Sequence, residues 1–301
     1  MTKDKKERRP VIFGEVLFDR FPDGSVVLGG APFNVAWHLQ AFGLAPLFIS
    51  RIGNDPLGQQ VKKQMAEWGM DSSGLQLDLS HSTGTVNVQI ENGEPSFDIV
   101  EECAYDFIDR GTIPPLPERG FLYHGTLAIR NSHSERALRE IKDNHHFSIF
   151  VDINLRPPWW NMECVNRALT DSHWAKLNEN ELREIASEER GGEDIEELAA
   201  ELLANFALKG VIITQGERGA FALTTTGARY AIAPELNNSV IDSVGAGDAF
   251  SSVILLGNMR GWPLPLTLER AQQFASQVVG IRGATINSRE FYQPLIDNWE
   301  L

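Results

Sequence analysis

The chain's pattern of apolar and polar positions changes character beyond Pro114. Before that point it mixes strands with short alternating pieces. Val11-Ile12-Phe13-Gly14-Glu15-Val16 is a short, mostly apolar run and predicts a buried strand. Residues 17–28 alternate in part and are split by Pro22-Asp23-Gly24, which predicts a small hairpin or flap. A helix follows from Gly29-Gly30 to Gly43, with Pro32 suited to its first turn. A strand is predicted over 46–52 and, after a loop through Gly58, a helix over 59–68. Residues 83–99 read as β again, interrupted by the hairpin signal Glu91-Asn92-Gly93. Beyond Pro114 strands and helices alternate. Strands are predicted over 121–126, 147–152, up to Asn178 and from Val211. Helices are predicted over 132–144, after Asn178, over 247–259 and over 267–283. Such alternation implies a parallel sheet covered on both faces.

Ile241-Asp242-Ser243-Val244-Gly245-Ala246-Gly247-Asp248-Ala249-Phe250 is the centre of this pattern. It is a β-like run, a turn of small residues, then a helix whose apolar positions fall at Ala249, Phe250, Val253, Ile254 and Gly257. Gly245, Ala246 and Gly247 let a ligand approach the backbone, and the amides and dipole of a helix start favour an anion there. Asp248 places a carboxylate at that anion site. As a cap it would stabilise the helix but repel a phosphate; as a base it would take a proton from a hydroxyl attacking the phosphate.

Composition narrows the classes. The 301 residues, 42% of them hydrophobic, suffice for a globular α/β core. The formal net charge of −14 argues against nucleic acid as a partner. Cys103 and Cys164 lack metal or redox spacing and read as free thiols. The charged start, residues 1–10, reads as a disordered tail rather than a signal peptide. No apolar run is long enough for a membrane span, so the expected address is the cytoplasm.

Four motifs carry candidate ligand chemistry. Gly29-Gly30-Ala31-Pro32-Phe33-Asn34 joins tight backbone to an amide that both donates and accepts. Asp19 lies in the flap, where a solvated turn residue is the commoner meaning. Asp152-Ile153-Asn154-Leu155-Arg156 follows a strand's carboxyl end, where open α/β sheets place ligands. Asn178 and Glu181 read equally as an N-cap and a first-turn acid. Trp159 and Trp160 read as core packing near a helix start, with sugar stacking the lesser role.

Residues 242–248 resemble the DTxGAGD signature of the PfkB, or ribokinase-like, sugar kinase family, with Ser243 where Thr is usual. Residues 29–36 resemble the family's GGxxxNxA signature in the GGAPxNVA form associated with fructokinase-like members, and Asp152 to Arg156 their DxNxR. One part of the pattern differs: the second flap region reads Ser96-Phe97-Asp98-Ile99-Val100, without the Arg often found there.

The resemblance spans Gly14 to about Asn287. It implies a ribokinase-like three-layer α/β/α sandwich over 11–301, with a mostly parallel sheet and a small β-sheet lid from segments 17–28 and 83–100. It implies ATP-dependent phosphorylation of a small sugar, fructose to fructose 6-phosphate first, with Asp248 as base and the amides of Gly245, Ala246 and Gly247 as anion hole. Asp19, Gly29, Gly30, Asn34, Asn154 and Arg156 would meet the sugar. Asn178 and Glu181 match the family's NxxE motif for magnesium and phosphate, and Thr214, Gly216 and Gly219 its TxGxxG segment. Asn287 would lie near the adenine. The cofactors implied are ATP and Mg2+, with K+ held beside the turn by Asp242, Val244 and Gly283; the lid implies a homodimer. Ribokinase, a nucleoside kinase or another sugar kinase of the family are the alternatives. A sugar-binding regulator without catalysis is the competing class, and Asp248 beside an intact turn favours an enzyme.

Overall fold

The computed structural model of the chain describes residues 9–91, 94–186, 194–233, 244–281 and 283–301. Two sheets form. The larger has nine strands: β1 (Val11–Phe13), β4 (Leu47–Gly53), β5 (Leu75–Asp78), β8 (Arg119–His124), β9 (His146–Asp152), β10 (Trp174–Asn178), β11 (Gly210–Thr214), β12 (Ala220–Thr224) and β13 (Arg229–Ile232). Their order is β13-β12-β11-β10-β9-β8-β1-β4-β5, and β12 alone runs against the rest. From β1 the chain first builds towards β5, then returns to β1's other side and builds towards β13. The carboxyl ends of β1 and β8 therefore flank the switch point where such sheets bind ligands.

Side-chain alternation explains why both faces are covered. Val11 and Phe13 of β1 enter one core and Ile12 the other; Val151 and Phe150 of β9 divide the same way. One face carries α3 (Ser132–Asn144), α4 (Met162–Leu169) and α6 (Ile195–Asn205). In α3 the buried Ser134, Ala137, Leu138 and Ile141 form a single stripe. The other face carries α1 (Ala31–Ala41), α7 (Ala246–Arg260), α8 (Leu264–Val278) and α9 (Arg289–Trp299). Nearly all of α1, and the whole run from Ala249 to Gly257 in α7, is buried, as expected of helices enclosed by other helices and a sheet. Two further helices, α2 (Pro56–Trp68) and α5 (Glu179–Ile185), follow β4 and β10.

The second sheet has the order β3-β2-β6-β7: β2 (Leu17–Arg20), β3 (Val26–Gly29), β6 (Gly84–Glu91) and β7 (Glu94–Ile99). Its outer pairs are antiparallel, while β2 and β6 are parallel, with Leu17 opposite Gly84. The predicted flap and second β region thus join into one sheet, beginning directly after β1 and feeding through Gly29 into α1.

Several expected boundaries move. The strand expected over 121–126 ends at His124, and Gly125 and Thr126 leave the sheet. The helix expected from 59 starts at Pro56, because the Asp55 side chain caps it by accepting from the Gly58 amide at 2.8 Å. The helix expected over 267–283 spans Leu264–Val278. It is not the last: α9 follows despite Pro294, since Tyr292, Leu295 and Trp299 bury one stripe. Arg9, assigned to a disordered tail, is held at 2.6 Å by Asp71, and Pro10 is buried; the rest of that tail lies outside the described residues. Both cysteines are buried free thiols, and Trp159 and Trp160 pack against the core.

Candidate active site

The two glycine-led segments converge from opposite ends of the chain. Gly245 caps α7 at φ 83°, and a Cβ there would stand 2.5 Å from that of Ala284. Only glycine suits both demands. Gly30 takes φ 107° before α1, where a Cβ would stand 2.8 Å from the Glu15 carbonyl oxygen. The two helices pack together and bring their first turns face to face. Asn34 then donates from Nδ2 to Oδ2 of Asp248 at 2.7 Å.

Around that bond the structure gathers the expected sugar-facing residues. A Cβ on Gly29 would lie 3.7 Å from Asp19 Oδ2 and 4.0 Å from Asn34 Oδ1, so Asp19, Gly29 and Asn34 share one spot. Asn34 is buried and its Oδ1 accepts no hydrogen bond among the described residues. A buried acceptor left without a partner is open to a donor such as a water or a ligand hydroxyl. Asn154 adopts φ 43°, a left-handed turn that asparagine tolerates, and carries the chain from β9 to Arg156. Arg156 is exposed, and its charge reaches Glu15, Asp19 and Asp248.

Those three carboxyls share an unusual setting. Burial pushes the half-buried Asp248 up to about 6, against the Asn34 bond that pulls it down. Burial pushes Asp19 up to about 6 as well, with Arg156 opposing. Glu15, 3% exposed, is pushed by burial up to about 7, and its Oε2 has no hydrogen-bond partner among the described residues. Glu15 was not singled out as a site residue from the sequence. The signal was available in a charged residue directly after an apolar strand, where ligands are met.

Asn178 and Glu181 sit where β10 passes into α5 and form a reciprocal capping box: each backbone amide donates to the other's side chain at 2.8 Å. Glu181 Oε1 also accepts from the Leu155 amide at 2.9 Å, which ties the Asn154–Arg156 loop to this helix start. Thr214, Gly216 and Gly219 line the turn between β11 and β12, fastened to Glu179 through Gln215 and Arg218. Asn287 is exposed beyond Ile286, whose carbonyl accepts from Trp37 Nε1 at 3.1 Å. The side-chain hydrogen bond of Asp248 runs to Asn34 and not to any of these six residues.

Of the expected cation ring, Asp242 lies outside the described residues. Val244 adjoins Gly245, and Gly283 adjoins Ala284, which packs against Gly245. Among the described residues, no group of three or more His, Cys, Asp or Glu side chains is arranged to hold a metal ion, and no helix is long and apolar enough to cross a membrane.

The profile of the pfkB family carbohydrate kinases matches residues 5–290. The chain belongs to the PfkB family of carbohydrate kinases. It is 31% identical over 262 residues to a fructokinase of Klebsiella pneumoniae, covering 82% of this chain and 83% of that one. It is 29% identical over 260 residues to a fructokinase of Escherichia coli, covering 82% and 83%. The fold superposes on fructokinase from Vibrio cholerae O395 in its fructose, ADP and calcium bound form with a TM-score of 0.81, at 25% identity, over 96% of this chain and 99% of that one. The small-residue turn at the start of α7 suits a phosphate group.

Proposed function

We propose that this PfkB kinase transfers the γ-phosphoryl group of ATP to the 6-hydroxyl of fructose, with Asp248 as the base. The observation that carries the reading is the Asn34–Asp248 bond. It sets a carboxyl of raised proton affinity beside an open amide acceptor, at the first turn of a helix that starts in small residues. In the transfer, the hydroxyl oxygen bonds to the γ-phosphorus and its proton passes to Asp248. The bond from that phosphorus to the bridging oxygen breaks, and the electron pair leaves with ADP. The amides of Gly245, Ala246 and Gly247 meet the charge that develops.

A neutral sugar is supported by the charges around the site. Arg156 acts on Glu15, Asp19 and Asp248, while the other cations that reach them, Arg130 and Lys176, are already paired with Asp106 and Asp152, so little free positive charge is offered to a substrate already carrying a phosphate. Fructose is supported by the fructokinase relatives and the GGAPFNVA form of the first signature. Magnesium, bound with ATP, supplies neutralising charge to the phosphates. Asn178 and Glu181 match the family's NxxE pattern in sequence, which supports an ion-handling role; with both Glu181 oxygens already accepting backbone amides, an ion there would be met through its water shell.

Potassium belongs to the same reading, with Asp242, Val244 and Gly283 as its carbonyl ring. Equal turnover in sodium-only and potassium buffers would remove it. Release of ADP, measured against a panel of sugars, sugar phosphates and nucleosides, tests the substrate. Fructose is expected to give the highest kcat/KM, and a nucleoside or a sugar phosphate outranking it would overturn the assignment.

A further inference from the structure

We propose that Lys176 places a fixed positive charge beneath the phosphate-facing turn, as the outward end of an oriented ion pair with Asp152. The inference rests on the reading of that turn as the anion hole.

Lys176 and Asp152 are directly paired in register on the neighbouring strands β10 and β9. Their side chains enter the face covered by α7, where the flanking positions Phe150 and Ile212 are apolar. Lys176 is 6% exposed and Asp152 1%. Nζ donates to both carboxylate oxygens, at 2.9 and 2.8 Å. Oδ2 of Asp152 also accepts from Ser251 Oγ at 2.7 Å and from the Tyr123 hydroxyl at 3.4 Å.

The pair has a direction. Nζ lies 3.4 Å from where a Cβ on Gly247 would stand, so the ammonium sits under the turn. The carboxylate is held by Ser251, about one helical turn further from the site than Gly247. The positive end is thus the one nearest Gly247, in the same sense as the helix dipole, while at Asp248 the charge of the Asp152 carboxylate is felt more strongly than that of Lys176. In a place shielded from water, such a fixed charge acts strongly on a developing phosphoryl anion and needs no reorganisation during the reaction. Fold stability is a weak reason for the pair, since buried ion pairs are often replaceable by packed apolar residues without loss. Lys176 is therefore a positioning residue of the anion hole, acting through the turn rather than by touching substrate.

Removing both charges separates this role from mere neutralisation of Asp152. Lys176→Met/Asp152→Asn and Lys176→Met/Asp152→Leu are compared with wild type after melting curves establish which are folded. Turnover is measured with fructose, or with the best sugar of the panel. Calorimetry measures ADP alone and ADP with aluminium fluoride, a mimic of the transferred phosphoryl group. We expect kcat to fall about 10- to 100-fold, with both KM values within about threefold. Affinity for ADP–aluminium fluoride should fall by a similar factor and that for ADP alone should hold. A folded double variant with near-normal kcat overturns the proposal. Asp248→Asn is run in parallel: if it also turns over normally, the catalytic reading itself fails, whereas a dead Asp248→Asn beside an active double variant rejects Lys176 alone.

Discussion

Asn34 and Asp248, 214 residues apart, are joined by a 2.7 Å hydrogen bond that locks the first turns of two buried helices to each other. The bond uses only the donor end of the Asn34 amide, and its buried acceptor end is open. In the proposed reaction this one residue would orient the base and offer an acceptor to a hydroxyl. Asp248→Asn keeps size and hydrogen bonding but cannot take a proton. A fall in kcat of about 10²- to 10⁴-fold is expected, with little change in sugar affinity measured by calorimetry. Near-normal turnover would remove Asp248 from the role of base.

The same bond predicts a pH effect. Asp248 must be ionised to act, so kcat/KM should fall as pH drops through about 6. The Asn34 donor favours the charged carboxylate and lowers its proton affinity. Asn34→Ala should therefore move the acid limb of the profile to higher pH, besides weakening sugar binding roughly tenfold or more. An unmoved limb in an otherwise folded variant would show that Asp248 does not govern it.

Much of this arrangement was legible in the sequence, for physical reasons. The stripe of α3 and the apolar runs of β1 and β9 follow from periodicity, because each element buries a defined face. The segments Gly29–Asn34 and Gly245–Asp248 could be marked because small residues and chemistry-bearing ones stood side by side. The contacts could not: nothing local says that Asn34 meets Asp248, or that Lys176 and Asp152 pair across two strands. The helix α9 lies beyond the predicted elements, and its internal Pro294 is a local breaker signal that the burial of Tyr292, Leu295 and Trp299 overrides. The Asn178–Glu181 pair was read with two meanings, and the capping box is the one its direct hydrogen bonds display.

Glu15 offers a test on stability instead of activity. Its carboxyl is raised from an ordinary 4.5 to about 7, chiefly by burial. A folded value above the unfolded one means that the protonated group is the favoured one in the native state. The stability this provides is complete below about 4.5 and is lost as pH rises through about 7. Glu15→Gln, which carries no charge at any pH, should thus be more stable than wild type at about pH 8, with the gap narrowing steadily on acidification. Melting temperatures of the two proteins across this range provide the check, and a gap independent of pH would contradict the buried-charge account.

The small sheet predicts motion. The sheet has only four strands, two of them of four residues, and β2 and β3 connect the end of β1 directly to α1 through Gly29 and Gly30. A sheet of this size depends on the main domain for burial, and part of its apolar surface is open: Phe97 is 51% exposed and Val26 40%. Transfer of a phosphoryl group to a sugar competes with transfer to water, so closure over the sugar should precede chemistry. We propose that segments 17–28 and 83–100 are a lid that closes on sugar binding, with Gly29-Gly30 as its hinge, and that the exposed part of the sheet around Phe97 meets a second copy of the chain in a homodimer. Hydrogen exchange with and without fructose should show slowing in these segments greater than in α7. Light scattering should show a dimer that Phe97→Glu dissociates, since the substitution puts a charge into the apolar contact. Protection confined to the start of α7 would rule out closure, and a wild-type monomer would rule out the dimer while leaving the lid intact.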